Sequence, residues 1–408
     1  MSNAPRTPPA GSDLRPALGD RRLFPDLEAR LYMNHAAVSP PSLAVRAAAG
    51  RVLDDYSRLG VGAVPLYVEQ RSRLKGKLAG LIGAEPADLG LVSNTTRGVT
   101  DIALCLPWKK GDRVVLFEGE FPANVTPWQR AAELFGLEIV FLSIKDYQED
   151  VERALARLRG ELERGVRLVA ASVVEFQTGL RMPIAAMGAL CHELGAELFV
   201  DSIQACGSVP VDVRAEHIDY LSSGSHKWLM GLEGAGFLYV APERVQALRP
   251  AVAGWTSHED ALRFLFEGEG HLRYDRPIKK GAELFEGGAN NALGFAALEA
   301  SLDLILELGV DNIYRHVGSL LEPLEAGLVK RGFASLRAPD AAHRSCTLSV
   351  LPPAGISVID LQTELANRSV ACSIPDGKLR FAPHWPNSAE QVPELLSAID
   401  DSLAALRG

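Results

Sequence analysis

The chain has few cysteines, no long apolar run and no surplus of basic charge. Each shortage closes a class of function. Five cysteines, an odd number at scattered positions, give neither a disulfide framework nor a paired C-x-x-C zinc pattern. That usage leads us to expect a reducing, cytoplasmic setting. No stretch is long and apolar enough to cross a bilayer, so no membrane partner is expected. Lys and Arg number 42 against 51 Asp and Glu, a net charge of −9. Phosphate-backbone binding wants a basic face, so nucleic acid is not an expected partner. Residues 1–20 are rich in Pro and Gly and lack the apolar core of a secretory signal; they read as a loose tail.

What is present is ordinary globular chemistry, with 47% hydrophobic and 23% charged residues. At 408 residues the chain can hold one large and one smaller domain. Apolar strand-like runs at 113–117, 137–142, 166–174, 197–200, 217–221 and 235–240 alternate with helical patterns. Helices are predicted over 42–56, 67–82, 151–162 and 187–194, the second stopped by Gly83. Repeated strand–helix units imply an α/β fold with a mainly parallel sheet covered on both faces. Past Pro250 the composition changes. Residues 254–280 are polar, aromatic and irregular, with His258 and His271 among them. A long helix at 292–308 then leads into strands near 347–350 and 378–381 and helices near 358–366 and 389–406. The expected division is a flexible tail at 1–22, a large domain at 23–280 and a smaller α+β domain at 281–408.

The chemistry centres on Ser222-Ser223-Gly224-Ser225-His226-Lys227-Trp228, which follows a buried strand. A lone lysine in a Gly/Ser turn is most often a solvated surface group. The preceding strand changes that reading, because it runs straight into Asp201. Ligands of open parallel sheets sit outside the strands' carboxyl ends. An Asp at one strand end and a Lys after the next suit pyridoxal 5'-phosphate (PLP). The lysine amine binds the cofactor's aldehyde, and the carboxylate keeps the ring nitrogen protonated. Other segments are weighed against that centre. Ser93-Asn94-Thr95-Thr96 at a helix start is either a plain capping turn or an anion site. With a PLP lysine elsewhere, we read Thr95 and Thr96 as a phosphate cradle. Phe121 follows a strand end and either packs in the core or stacks on a planar ring. Asn34-His35-Ala36 is either a connecting loop or a tight segment lying against a ligand. Arg380 alternates with apolar residues on a half-buried strand, and its fork suits either a substrate carboxylate or a surface ion pair. Cys191 and His192 have no partners at ligand spacing and read as structural. Gly231-x-x-Gly234-x-Gly236 precedes a strand instead of opening a helix, so no dinucleotide site is read there. An NAD- or metal-dependent enzyme has neither fingerprint nor ligand cluster in its favour.

Asp201-x-x-Gln204, with Ser225-His226-Lys227 beyond it, resembles the class V aminotransferase group of fold-type I PLP enzymes. Cysteine desulfurases, selenocysteine lyases and isopenicillin N epimerases belong to that group. The resemblance runs from about Tyr32 to the C-terminus and implies a mainly parallel seven-stranded sheet. It adds Gln204, expected on the cofactor's phenolic oxygen, and Ser225 and His226, with the histidine at the phosphate. It places a substrate carboxylate on Arg380, and we add N–H groups around Asn34 and His35. Phe285-Glu286-Gly287-Gly288 resembles a segment that reaches the neighbouring subunit's site, which implies a homodimer. Ala289 replaces a phosphate-binding threonine of the family, leaving Asn290 as the substitute. Three departures from the desulfurases stand out. Phe121 occupies the place of a stacking histidine. Phe176 stands where they carry an asparagine, with Glu175 and Gln177 as possible replacements. Cys372 lies in an apolar stretch with no Gly-His-His run before it, so it is expected to be buried and inert. The resemblance therefore implies a PLP enzyme that works through an α-carbanion of an amino acid, closer to C–S lyases and epimerases than to Cys-nucleophile desulfurases. An aminotransferase is the alternative, and a non-catalytic PLP-fold protein the alternative from another class. His35, His258 and His271 are candidates for the group that decides between outcomes.

Overall fold

The computed structural model describes residues 14–407. The first strand, β1, is only Leu31–Tyr32. Ser42 then caps α1 (Leu43–Leu59), its hydroxyl accepting the Val45 N–H. α2 (Val64–Ile82) ends at Gly83, which takes the left-handed conformation that closes a helix. Strands and helices then alternate as β2 (Leu89–Val92), α3 (Thr95–Cys105), β3 (Arg113–Glu118), α4 (Thr126–Phe135) and β4 (Glu138–Ser143). α5 (Ile144–Glu149), α6 (Val151–Leu162), β5 (Leu168–Ser172), α7 (Ile184–Glu193), β6 (Glu197–Asp201), β7 (Tyr220–Gly224) and β8 (Gly236–Val240) complete the large sheet and its helices. Short helices α8 (Pro242–Val245) and α9 (Arg263–Phe266) precede the long α10 (Ala292–Leu308) and α11 (Val310–Lys330). The chain closes with β9 (Ala334–Ser335), β10 (Leu348–Leu351), α12 (Val358–Asn367), β11 (Val370–Ala371), β12 (Leu379–Phe381) and α13 (Gln391–Arg407).

Seven strands form one sheet in the order β2-β8-β7-β6-β5-β3-β4. β8 runs antiparallel to both its neighbours, and the other pairings are parallel. β5, β6, β7 and β8 are buried along their whole length, as strands covered on both faces must be. Alternate residues feed opposite cores: Val115 and Phe117 pack on one side of the sheet, Val114 and Leu116 on the other. This is the mainly parallel α/β architecture the sequence implied. A second, antiparallel sheet of order β12-β10-β9 lies in the C-terminal part.

Chain order is a poor guide to which sheet a segment joins. β1, which the expected division grouped with the large domain, pairs in parallel with β11, and Asn34 bridges to Ala382. α10, beyond residue 280, packs on α1 and α2. Of the tail expected at 1–22, residues 1–13 lie outside the described residues. The remainder lies against the body: Leu14 packs on the core, and the Gly19 N–H donates to the Trp385 carbonyl at 2.7 Å.

Candidate active site

β6 and β7 are parallel neighbours with Asp201 opposite Ser222, so their carboxyl ends open on one side. Asp201 ends β6 and is 3% exposed. Its Oδ1 accepts the Ile203 N–H at 2.9 Å, and its second oxygen has no partner among the described residues. Burial raises this carboxyl to about 6, against the pull of that N–H and of Lys227. Lys227 stands three residues past β7. Its ammonium lies 5.4 Å from the centre of the Phe121 ring and makes no hydrogen bond to the described residues. Burial lowers it to about 8; Asp201 opposes the shift and Arg380 adds to it.

Two residues that the sequence reading did not single out, Ser39 and His384, help to fix this loop. The Ser39 N–H donates to the His226 carbonyl at 2.7 Å, and the Ser39 hydroxyl donates to the Lys227 carbonyl at 2.6 Å. His384 Nε2 donates to the Trp228 carbonyl at 2.8 Å while its Nδ1 accepts the Trp385 N–H, which fixes a neutral ring. The Trp228 indole donates to Gln204 Oε1 at 2.8 Å, and Gln204 Nε2 donates to the Ala36 carbonyl. One amide proton of Gln204 is left over. A tryptophan next to the lysine was the only local signal for this brace. Ser39 and His384 lie far away in sequence and carried none.

His35 departs from its expected place among the substrate-binding groups. Its ring is buried between Tyr32 and His384. Its Nδ1 is 2.8 Å from Ser39 Oγ, and its backbone N–H donates to the Ala382 carbonyl. Both donors are spent inside the protein, and burial holds the ring well below its ordinary value. Asn34 differs, because its Oδ1 is buried without a partner. It bridges to Ala382, two residues past Arg380.

Thr95 and Thr96 begin α3, and Asn94 caps it by accepting the Arg97 N–H at 2.8 Å. The first N–H groups of a helix lack intrahelical partners and suit an anion. Two glycines bring α3 to the end of β7. A Cβ on Gly98 would lie 2.2 Å from Ser222 Oγ, so only glycine lets the helix approach this strand. A Cβ on Gly224 would stand 3.3 Å from Thr95 Oγ1 and 3.5 Å from His226 Nδ1, which shows how closely these groups converge. Thr95 Oγ1 also accepts the Gly224 N–H at 2.8 Å. Ser225 does not join them, because its hydroxyl donates to the Leu232 carbonyl. Asn290 lines a groove of about 400 Å3 with Ser93, Arg97, Gly287 and Gly288, and Lys227 is not among the residues lining it.

Arg380 is 5% exposed, yet it pairs with no carboxylate among the described residues. Nη1 donates to the Phe176 carbonyl at 2.6 Å and Nε to Ser373 Oγ at 3.1 Å. Burial lowers the guanidinium to about 10, and the nearby Glu175 offsets this only in part. Phe121, 46% exposed, meets Phe176 edge to face at 5.3 Å, giving an apolar wall beside Lys227. Neither expected replacement for the desulfurase asparagine is presented there. Glu175 folds back on its own turn, accepting from Gln177 N, Thr178 N and Thr178 Oγ1. Gln177 bridges the Gly119 carbonyl and the Lys378 ammonium. His258 donates to the Arg276 carbonyl and His271 sits 4.0 Å from Glu267, both within the 254–280 segment. That segment lines its own hollow of about 220 Å3, with Trp255, Phe264 and Tyr274.

This donor set fits PLP: a half-buried amine without a hydrogen bond among the described residues, a carboxylate with an open oxygen and a helix start with free N–H groups. The buried carboxyls also predict a pH dependence of stability. Burial raises Glu216 to about 7 and Glu120 to about 8 in the folded protein. In the unfolded chain both have lost their protons by about pH 6.5. His35, His226 and His384, which burial lowers, oppose this in the lower part of the window, because the unfolded chain still protonates them there, and Lys227 opposes it near pH 8. The carboxyls outweigh these groups, so the folded state holds more protons between about pH 6.5 and 8, and its stability falls as pH rises through that window. Urea unfolding of cofactor-free protein should show a stability that declines by on the order of 1 kcal/mol in all across it. A midpoint that is flat or rising there would refute this assignment of protons.

Known proteins agree with the geometry. The family profile described as aminotransferase class-V matches residues 49–378. A probable cysteine desulfurase of Methanothermobacter thermautotrophicus is 26% identical over 405 residues, covering 95% of this chain and 98% of that protein. The isopenicillin N epimerase of Streptomyces clavuligerus is 27% identical over 336 residues, covering 79% and 82%. Two solved structures of C-DES share the fold. One, a variant with glycine covalently linked to the PLP cofactor, has a TM-score of 0.84 at 23% identity and covers 94% of this chain and 99% of that one. The other, a complex of this cystine C–S lyase with its product cysteine persulfide, has a TM-score of 0.83 at 22% identity, covering 93% and 99%. No helix among the described residues is long and apolar enough to cross a membrane. With four-fifths of its length matched by one profile, a half-buried lysine beyond β7 and an aspartate at the end of β6, this chain belongs to the class V aminotransferase family and is a PLP-dependent enzyme.

Proposed function

We propose that this enzyme is a C–S lyase that removes the sulfur substituent of an α-amino acid by β-elimination, without a cysteine nucleophile. The observation that carries the reading is Arg380, a buried guanidinium with no carboxylate partner, beside a lysine whose neighbours are aromatic. The substrate's carboxylate supplies the anion that Arg380 lacks. Asp201 holds the pyridine nitrogen, α3 holds the phosphate, and the remaining amide proton of Gln204 reaches the phenolic oxygen. Bound PLP supplies an electron sink for the pair released at the α-carbon. Lys227 takes the α-proton onto its amine. The β-carbon–sulfur bond then breaks, the sulfur leaves with the electron pair, and Lys227 can return the proton to it. Hydrolysis of what remains of the amino acid gives pyruvate and ammonia. Phe121 and Phe176 carry no proton, so they offer no second acid or base on that wall. The name of C-DES, a cystine C–S lyase, supports the sulfur-bearing substrate.

Cys372 supports the same choice. It is buried, and burial pushes its thiol up to about 12, so almost none is thiolate at neutral pH. Cys372→Ser should keep turnover within about threefold, and alkylating reagents should leave the native protein unmodified. A loss of roughly 10^3-fold on that substitution would instead establish a desulfurase mechanism.

We propose a homodimer as well. The Phe285–Gly288 segment is anchored for such a role: Lys75 holds Glu286 at 2.6 Å, and Glu286 Oε1 accepts the Leu91 N–H. Asn290 would then serve the partner's phosphate. Sedimentation of the purified protein tests the assembly. The reaction is tested by titrating the visible band of the holoenzyme with cysteine, cystine and cysteine sulfoxides. Pyruvate and ammonia in equal amounts support the lyase. A keto acid with no ammonia would make the enzyme an aminotransferase, and no band with added PLP would remove the reading.

A further inference from the structure

Glu120 stands two residues past the end of β3, beside the carboxyl ends of β5 and β6. Glu120 is half-buried, and both of its carboxyl oxygens meet one residue. Oε1 accepts the Ser172 N–H at 2.6 Å, and Oε2 lies 2.6 Å from Ser172 Oγ. Ser172 ends β5 and is the register partner of Asp201. The next N–H, that of Val173, donates to the Asp201 carbonyl at 2.9 Å. Glu120 therefore clamps the strand end on which Asp201 is seated.

The groups around Glu120 decide its charge. Asp201 faces it from β6 and Glu175 from the turn after β5, and both are acidic. Ile144 closes the β4 side against Gly119. Gln177 Nε2 donates to the Gly119 carbonyl, while its Oε1 takes the Lys378 ammonium. Lys227 lies over the ring of Phe121, the next residue. No cation touches the Glu120 carboxyl among the described residues. Glu175 has three donors of its own, and Asp201 has the attraction of Lys227. Glu120 has only a neutral serine. Neighbouring buried carboxyls cannot all ionise, and the proton stays on the one with the weakest donors.

We propose that Glu120 is a positioning residue for the cofactor: as a protonated carboxyl it clamps Ser172 and so braces Asp201 at the ring-nitrogen end of the site. Oε2–H donates to Ser172 Oγ while Oε1 accepts the Ser172 N–H. Burial, with Asp201 and Glu175 adding, pushes Glu120 up to about 8, in accord with this. The inference rests on the PLP reading and adds a residue outside it. A glutamine at this place keeps both contacts, because its amide accepts and donates in the same positions, but it does not titrate.

The test compares wild type, Glu120→Gln and Glu120→Ala. In the cofactor-free protein, Glu120→Gln should abolish the decline of stability between about pH 6.5 and 8, because Glu216 alone does not outweigh the opposing histidines and Lys227. In the holoenzyme, the visible band should show a titration step near pH 8 that is absent in Glu120→Gln. PLP affinity at pH 7 should stay within about threefold in Glu120→Gln and fall roughly tenfold in Glu120→Ala, which loses both hydrogen bonds. Identical titrations of wild type and Glu120→Gln, with normal PLP binding, overturn the proposal alone. So does full PLP affinity in Glu120→Ala. A wild-type protein that binds no PLP overturns it together with the reading beneath it.

Discussion

Lys227→Ala should lower turnover by roughly 10^3-fold or more while leaving the protein folded. The size follows from what stands near the substrate's α-proton. Phe121 and Phe176 form the neighbouring wall, Arg380 is held to Phe176 and Ser373, and His384 is turned away onto the Trp228 carbonyl. Nothing in that set can take over proton transfer. The fold should survive because Lys227 is a half-buried cation without a hydrogen bond among the described residues, and removing it relieves a desolvation cost. Its backbone, pinned by Ser39 at the Lys227 carbonyl, is unchanged by the substitution. The melting temperature of the cofactor-free variant should therefore equal or exceed that of wild type. Borohydride should fix PLP to wild type and not to the variant, as read by mass spectrometry. Turnover retained within tenfold would remove Lys227 as the base.

Arg380→Ala should raise KM for amino acids far more than it weakens PLP binding. Truncating one partner of a desolvated, hydrogen-bonded charge pair costs on the order of 2–5 kcal/mol, or roughly 30- to several-thousand-fold in kcat/KM. Amines that lack the carboxylate should lose little, which separates a lost carboxylate contact from a damaged site. Stability should change by less than about 1 kcal/mol. The substitution removes two hydrogen bonds, but it also removes a buried charge that the free protein leaves uncompensated. Unchanged kinetics would take Arg380 out of the substrate site.

Much of this was legible in the chain because the signals are local. The α6 helix repeats its apolar positions at helical spacing, and the structure places it at Val151–Leu162 as predicted. The sequence analysis assigns no element to 310–330, where the structure has α11; this helix starts directly after Gly309 and carries Pro323 within it, and a proline inside a helix breaks the local signal. Cys372 read as inert from its apolar neighbours, and it is buried. His35 was misread for a related reason. Its small polar neighbours suggest a ligand-facing loop, but its partners, Ser39, His384 and the Ala382 carbonyl, are fixed only by folding.

The sequence by itself determined the strand–helix alternation and the family, and it put Asp201 near Lys227, because consecutive parallel strands are mostly neighbours, as β6 and β7 are here, and their carboxyl ends then lie side by side. Tertiary structure alone decided the rest. It brought Ser39 and His384 onto the lysine loop and turned Ser225 away toward Leu232. It left Arg380 buried without an anion, and it set Glu120 against Ser172 across two strands. The physical reason is range: spacing reports which residues share a strand or a helix face, whereas a hydrogen bond between residues 188 apart, like that from Ser39 to Lys227, exists only once the strands between them are in register.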